Sequence, residues 1–239
     1  MTQSWHNLLF AHWPVAPAAL AHLVPAPLEI DTFDGQAWVG VVAFRLDHIR
    51  LRGLPEVPFV CGFAEINVRT YVRLGERRGV LFLSLDTDHL LTIGMARPWF
   101  HLPYQFARMD FAATYGGVRV GSKRPGESTA EFRAEYWPLA AKGAAAPDSL
   151  ESWLTERYCY FAPVGAKIYR CDIAHQPWRL QRAGAAITRN TMLESHGITT
   201  PTAAPLLHYA NFMKALIWPV QRVATEAATQ QMSPVPSWS

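Results

Sequence analysis

The segment FAEINVRTYV, residues 63–72, alternates between two unlike sets of side chains. One set is small or apolar at most positions. The other set contains Phe63, Glu65, Asn67, Arg69 and Tyr71. Alternation with a period of two predicts a β-strand whose apolar face lies in the core. Its polar face is either the solvent side of a half-buried strand or the wall of a pocket.

The same reasoning predicts several more strands, most of them joined in hairpins. Asp34-Gly35 is a strong two-residue hairpin signal and lies between two strands within residues 28–44. A tight connection after residue 72 leads to the next strand. The remaining predicted strands fall within residues 79–86, 106–137 (a hairpin), 157–163, 166–175 and 177–187. This spacing is typical of an antiparallel sheet that curls or closes on itself.

Short helices are predicted at four places between or after these strands. They cover residues 17–23, 88–96 and 149–158, and part of residues 205–220. We therefore predict a single α+β domain over residues 1–222, an antiparallel β-barrel with short peripheral helices. Residues 223–239 are polar and interrupted by prolines, which predicts a disordered tail.

Composition and charge narrow the class of protein. Half of the 239 residues are apolar and 17% are charged, which is typical of a globular chain. The net charge of +3 is spread without a basic block, so we expect no nucleic-acid partner. No run approaches the ~20 apolar residues of a membrane span, and the first ten residues show no signal peptide. Three widely spaced cysteines indicate a reducing compartment. We expect a cytoplasmic protein that does not bind membranes.

The common signatures of catalysis are missing from the sequence. The nine histidines have no metal-ligand spacing, and neither a G-x-S-x-G nucleophile elbow nor a phosphate loop followed by a helix is present. Cys61 precedes the polar strand, and a buried inert thiol is the favoured interpretation of it. We therefore expect no metal and no cofactor.

Two stretches remain as candidates for a site. On the polar strand, Glu65 and Arg69 are about 13 Å apart along the backbone, too far for a direct salt bridge, so each needs another partner or a ligand. Residues 96–111 contain Arg97 and Tyr104 on a connection between a helix and a strand, where site residues are common. The alternative for this connection is that its aromatic side chains close one end of the barrel.

Several motifs resemble the YqjF-like family of uncharacterised conserved proteins. They are NLLFAHWPV, LEIDTFDGQAWVGVV, FAEINVRTYV, ARPWFHLPY and, later in the chain, ERYCYFAP and IYRCDIAHQPWRLQRA. The resemblance extends from about Trp5 to Ala183. It also implies a distant relationship to the acetoacetate-decarboxylase-like superfamily, whose fold is a β-rich barrel around a substrate pocket.

That relationship has consequences for the chemistry. The superfamily's decarboxylases carry two consecutive lysines after a short helix, and one lysine forms a Schiff base with the keto acid. This chain is similar there, but Tyr104 and Gln105 occupy the places of the lysines. Glu65 matches a glutamate that faces the pocket in the superfamily. The resemblance thus implies a pocket beside Glu65 without Schiff-base chemistry.

We predict a protein that binds a small molecule in the barrel. Glu65 would be the general acid or base, and the remaining candidate residues would bind the substrate: Asn67, Arg69, Tyr71, Arg97 and Tyr104. The reaction would be that of a lyase, hydratase or isomerase on a small oxo acid or carbonyl compound. The alternatives are a non-catalytic sensor or carrier, or a structural protein whose polar strand forms an oligomer interface. A homo-oligomer is compatible with all three.

Overall fold

The fold, in a computed structural model that describes residues 1–50, 62–126 and 130–223, consists mainly of β-strands. The strands are β1 (Thr2–Val15), β2 (Glu29–Ile30), β3 (Ala37–Arg50), β4 (Phe63–Leu74), β5 (Arg77–Thr87), β6 (Tyr104–Phe106), β7 (Arg108–Thr114), β8 (Gly117–Lys123), β9 (Glu131–Ala144), β10 (Cys159–Val164), β11 (Lys167–Ala174), β12 (Arg179–Asn190), β13 (Leu206–Ile217) and β14 (Gln221–Val223). Two α-helices lie in the described ranges, α1 (Leu90–Phe100) and α2 (Leu150–Thr155). The described ranges also contain two short 3-10 helices, Pro17–Leu20 and Glu194–His196.

Seven of the strands form a closed ring in the order β11-β10-β5-β4-β3-β1-β13. The pairs Ile173–Ile217 and Ala174–Leu216 between β11 and β13 close it. Beyond β13 the sheet continues through β12, β9, β8 and β7. The predicted closure of the sheet is therefore present, and β4 lies within the ring.

The sheet is mixed, so the prediction of a purely antiparallel sheet was wrong. β10 pairs with β5 in parallel, and β6 also pairs with β5 in parallel. In both cases a long connection lies between the two paired strands, and α1 is part of that connection. Hairpins force neighbouring strands to be antiparallel, whereas such crossovers allow the parallel arrangement. With two α-helices in the described chain, the fold is also richer in sheet than predicted.

Most of the predicted hairpins and turns are confirmed. Asp34 and Gly35 both have positive φ angles, 50° and 78°, as the type I′ turn requires. Around them Phe33 and Gln36 exchange both backbone hydrogen bonds. The strands on either side of this turn do not pair with each other, since β2 pairs with β4, and β3 pairs with β1 and β4. Turns after Leu74 and Val164 join β4 to β5 and β10 to β11. Residues 106–137, predicted as one hairpin, contain the successive antiparallel pairs β7–β8 and β8–β9.

The helix predictions had mixed outcomes. Residues 17–23 contain a 3-10 segment, and α1 and α2 occur where helices were predicted. Ser149 caps α2, its side chain accepting a hydrogen bond from the Ser152 amide. The helix predicted within residues 205–220 was wrong, because these residues form β13, which pairs with β1, β12 and β11. The predicted tail lies, apart from Val223, outside the described residues.

The main apolar core lies between one face of the ring and the sheet that continues beyond it. It combines residues of β1, β3 and β4 with residues of β8 and β9, among them Leu9, Val41, Val68, Val120 and Phe132. None of the helices in the described ranges is long and apolar enough to span a membrane.

Candidate functional site

Both faces of β4 are buried, which answers the question that its alternation raised. Ile66 and Val68 belong to the main core on one side. Glu65 and Asn67 point the other way, and each is only 3% exposed. Their face lies inside the ring and is not the solvent side of a half-buried strand.

A cavity of about 290 Å³ lies against this face of β4. Glu65, Asn67 and Arg69 line it, with Tyr104 beside them. The rest of its wall is almost entirely apolar, and includes Trp5, Leu8, Phe10, Phe44, Leu46, Ile49, Phe63, Leu85, Met95 and Trp178. A mostly apolar cavity with a few polar groups close together is the usual form of a small-molecule site.

A register shift between β4 and β5 shapes the polar end of this cavity. Asn67 pairs with Leu85, but two residues further along β4, Arg69 pairs with Phe82. One extra residue of β5 is therefore accommodated between them, as in a β-bulge. Because of this shift, Phe82 and Leu85 both line the cavity although they are three residues apart.

Glu65 is held by two hydrogen bonds. The Tyr104 hydroxyl donates to Oε2 at 2.6 Å, and Nδ2 of Asn67 donates to Oε1 at 3.3 Å. Burial raises the pKa of Glu65 from 4.5 to about 7; the two hydrogen bonds oppose this rise, and the nearby Asp86 adds to it. A carboxyl group with a pKa close to neutrality can both accept and donate a proton under physiological conditions.

Tyr104 reaches Glu65 because the backbone of β6 is fixed on two sides. Tyr104 pairs with Leu85 of β5. From α1, the exposed side chain of Arg97 donates hydrogen bonds to the Tyr104 carbonyl, the one from Nε at 2.9 Å. Arg97 thus lies outside the cavity wall and contacts the backbone behind it. Its position is that of a residue that orients Tyr104.

Arg69 brings a positive charge into the cavity. Its guanidinium lies 5.4 Å from the centre of the Phe10 ring, and its buried Nε donates no hydrogen bond. Within the described part of the chain, no carboxylate oxygen lies within 4 Å of the Arg69 guanidinium nitrogens. A partly buried guanidinium without an acidic partner is a favourable site for a carboxylate ligand.

Tyr71 follows on the same face of β4 but lies beyond the cavity. Its hydroxyl donates to the Leu154 carbonyl at 2.8 Å and lies 2.7 Å from Nε2 of His12. Its ring packs against Trp153, and the residue has no solvent exposure. The structure therefore brings together Glu65, Asn67, Arg69 and Tyr104, and places Tyr71 in the packing between β4 and α2.

The described cavity wall contains no lysine. Within the described ranges, no group of three or more histidine, cysteine or acidic side chains is arranged to hold a metal ion. Cys61, predicted to be a buried inert thiol, lies outside the described residues.

Sequence reasoning missed most of the aromatic wall. Phe10 and Trp178 pack edge to face, 5.1 Å between ring centres, and Trp5 stacks on Trp178. Leu8 and Phe10 alternate with the core residues Leu9 and Ala11, a signal for β1 that lies inside one of the family motifs. A register shift between His6 and Leu9 interrupts the alternation earlier in β1 and obscures it.

Comparison with known proteins identifies a relative of similar sequence and solved structures of similar fold. The curated protein "Uncharacterized protein YqjF" of Bacillus subtilis is 45% identical over 222 residues, which cover 93% of this chain and 92% of that protein. Among solved structures, the enduracididine biosynthesis enzyme MppR complexed with pyruvate matches with a TM-score of 0.63 at 12% identity, covering 95% of this chain and 91% of that one. Acetoacetate decarboxylase from Legionella pneumophila matches with a TM-score of 0.62 at 12% identity, covering 93% and 87%.

The chain thus has a β-sheet fold similar to that of acetoacetate decarboxylase, with a cavity inside its ring of strands. The family model DUF2071, described as an uncharacterized conserved protein, matches residues 2–214. The chain belongs to this family, and the resemblance to YqjF-like proteins is confirmed.

Proposed function

We propose that this protein binds a small carboxylic acid in the β4 cavity and that Glu65 exchanges protons with it. The observation that supports this most is that one apolar cavity holds an arginine without an acidic partner among the described residues and a carboxyl group with a pKa of about 7. Arg69 would hold the carboxylate, since charge-assisted hydrogen bonds in an apolar setting are the strong ones.

The chemistry follows from what Glu65 can do there. As a carboxylate it would take a proton from the carbon next to a carbonyl group, and the C–H electron pair would move into the carbon skeleton to give an enolate. Arg69 would stabilise the negative charge on the enolate oxygen. Protonated Glu65 would then return the proton to carbon, and the Tyr104 hydroxyl would stabilise the carboxylate form of Glu65 before the proton is taken and after it is returned. Such proton transfer is the step that isomerases, hydratases and many lyases share, and it needs no lysine.

Relatives of the same fold support this class of ligand. MppR has been solved with pyruvate, and acetoacetate decarboxylase is named for an oxo acid. We extend to this chain only the class, a carboxylic acid with a carbonyl group.

The test is hydrogen exchange at carbon, followed by proton NMR in D₂O with 2-oxohexanoate as probe. The protein should accelerate loss of the C3 proton signal above the buffer rate, and more so as the pH rises through about 7, because the base is ionised Glu65. Glu65→Gln should lower the acceleration by at least about a hundredfold and change the affinity only a few-fold. Glu29→Gln is the matched control. Glu29 is exposed and pairs with Arg73 at the surface, so this variant should behave as wild type.

A carrier is the second candidate, because the cavity wall is almost entirely apolar and both Glu65 oxygens already accept hydrogen bonds. Binding of the probe without accelerated exchange would favour the carrier. Absence of binding to any carboxylic acid would contradict both candidates.

A further inference from the structure

One polar atom in the cavity wall has no partner among the described residues. Nδ2 of Asn67 donates to Glu65, which orients the amide so that its Oδ1 points elsewhere. Oδ1 is buried and accepts no hydrogen bond. Buried carbonyl oxygens are nearly always paired, and each one left unpaired is unfavourable. Because Asn67 lines the cavity, a ligand that donates a hydrogen bond would satisfy it.

The polar groups are ordered along β4. Arg69, Asn67, Glu65 and Phe63 follow one another on one face, each separated from the next by two residues, or about 6.6 Å along the strand. A ligand whose carboxylate lies at Arg69 therefore meets the free acceptor next and Glu65 after that. Beyond Glu65 the wall is apolar.

The volume of the cavity indicates how large the ligand is. An apolar cavity of about 150 Å³ holds benzene, and this one measures about 290 Å³. By that comparison it holds roughly eleven or twelve non-hydrogen atoms. A three- or four-carbon acid would leave about half of the space empty, next to side chains such as Leu46, Phe63 and Met95.

Resting on the proposed function, we infer that the ligand is an acid of medium length that carries a hydroxyl group in addition to its carbonyl group. It has a carboxylate for Arg69, a hydroxyl group on carbon 2 or 3 that donates to Oδ1 of Asn67, and an apolar chain that fills the cavity beyond Glu65. An amino acid fits less well, because an ammonium group needs three acceptors and would lie next to the positive charge of Arg69.

Isothermal titration with four probes tests this on the wild-type protein. 3-Hydroxyoctanoate should bind best. Octanoate, which lacks only the hydroxyl, should bind about tenfold more weakly. 3-Hydroxybutanoate, which lacks four methylene groups, should bind about a hundredfold more weakly, and 3-aminooctanoate should bind more weakly than octanoate.

Asn67→Leu, a nearly isosteric change, isolates the hydroxyl contact. In this variant the ratio of the affinity for 3-hydroxyoctanoate to the affinity for octanoate should fall to about one. Octanoate is the internal control, since it keeps the carboxylate and the chain and reports any general damage to the site.

The outcomes separate this inference from the proposed function. Equal binding of octanoate and 3-hydroxyoctanoate to the wild type, or a ratio unchanged by Asn67→Leu, would overturn the hydroxyl assignment and leave the carboxylate site intact. Tighter binding of 3-hydroxybutanoate than of the octanoates would overturn the assignment of the chain. Tightest binding of 3-aminooctanoate would replace the hydroxy acid by an amino acid. Failure of all four probes while 2-oxohexanoate still binds would overturn this inference, and failure of 2-oxohexanoate as well would contradict the proposed function itself.

Discussion

At the scale of single residues, the carboxyl group of Glu65 shows how burial and hydrogen bonding oppose each other. Burial disfavours its charged form, whereas the Tyr104 hydroxyl and the Asn67 amide favour it, and the balance leaves the pKa at about 7. An exposed glutamate would be ionised well below that pH. The strand's alternation predicted which residues share the face, but not this balance, because Tyr104 comes from a different strand.

Glu65→Gln should change how stability depends on pH. The folded-state pKa of about 7 lies above the ordinary value of 4.5, so the folded protein holds a proton that the unfolded chain has released between these values. The cost of ionising Glu65 is absent below pH 4.5, grows as the pH rises, and is complete above about 7. It reaches about 3 kcal/mol. Urea unfolding from pH 4 to 8 should show that the variant lacks this loss, and parallel curves for both proteins would contradict the assignment.

Tyr104→Phe should raise the pKa of Glu65 further. The variant removes the 2.6 Å hydrogen bond that favours the carboxylate, while the ring still fills its place. Carbon-13 NMR of the glutamate carboxyl groups would follow the titration. Tyr158→Phe is the control, because the Tyr158 hydroxyl donates to the Glu156 side chain at the surface, away from Glu65. A pKa for Glu65 that stays the same or falls in Tyr104→Phe would mean that the tyrosine does not stabilise the charged form.

At the scale of elements, the polar end of β4 is built by contacts with β1, β3 and α2. Gly40 of β3 faces His12 of β1, and a Cβ atom at Gly40 would lie 2.7 Å from the histidine ring. Tyr71 then bridges His12 and the last turn of α2. These contacts fix the strand face next to the cavity.

Tyr71→Phe should destabilise the fold by about 2–3 kcal/mol, because both the Leu154 carbonyl and Nε2 of His12 lose their partner while buried. Ligand affinity should stay close to wild type, since Tyr71 does not line the cavity and phenylalanine keeps the ring that lies 5.9 Å from the Arg69 guanidinium. Tyr158→Phe at the surface should cost less than about 0.5 kcal/mol. Thermal unfolding together with titration of octanoate measures both quantities. Loss of binding in folded Tyr71→Phe would place this residue in the site after all.

Gly40→Ala should lower stability by about 1–3 kcal/mol through the clash with the His12 ring, which its hydrogen bond to Tyr71 holds in place. Gly94→Ala in α1 is the matched control, since a Cβ there meets no atom within 4 Å. It should raise stability by up to about 1 kcal/mol, as is usual in a helix. Equal effects of the two changes in urea unfolding would show that β1 and β3 are not closely packed here.

The elements also show why some predictions failed. Turn residues act locally, so the turn at Asp34-Gly35 was predicted correctly, but which strands pair on either side of it is decided by distant parts of the chain: β2 pairs with β4 and not with β3. β13 contains aromatic and long apolar side chains that suit a helix equally well, and it becomes a strand because neighbours distant in sequence pair with both of its edges. The parallel pairs of β5 likewise depend on long connections, which no local pattern specifies.

At the scale of the whole molecule, closure of the ring turns one strand face into the wall of a cavity. β4 has buried residues on both sides, apolar ones against the continuing sheet and polar ones around the cavity. The resemblance of the sequence to a known family led to the acetoacetate-decarboxylase-like fold, although the sheet is mixed and not purely antiparallel as predicted. The cavity wall itself comes from strands and helices distributed over most of the chain, so its membership required the structure.

The central claim is that Arg69 holds the carboxylate of a ligand inside the ring, and a thermal-shift assay with octanoate tests it directly. Arg69→Gln is compared with Arg73→Gln, which lies four residues along the same strand face and pairs with Glu29 at the surface. Saturating octanoate should raise the melting temperature of the wild type and of Arg73→Gln by several degrees, and leave that of folded Arg69→Gln nearly unchanged. An equal rise in all three proteins would contradict the claim.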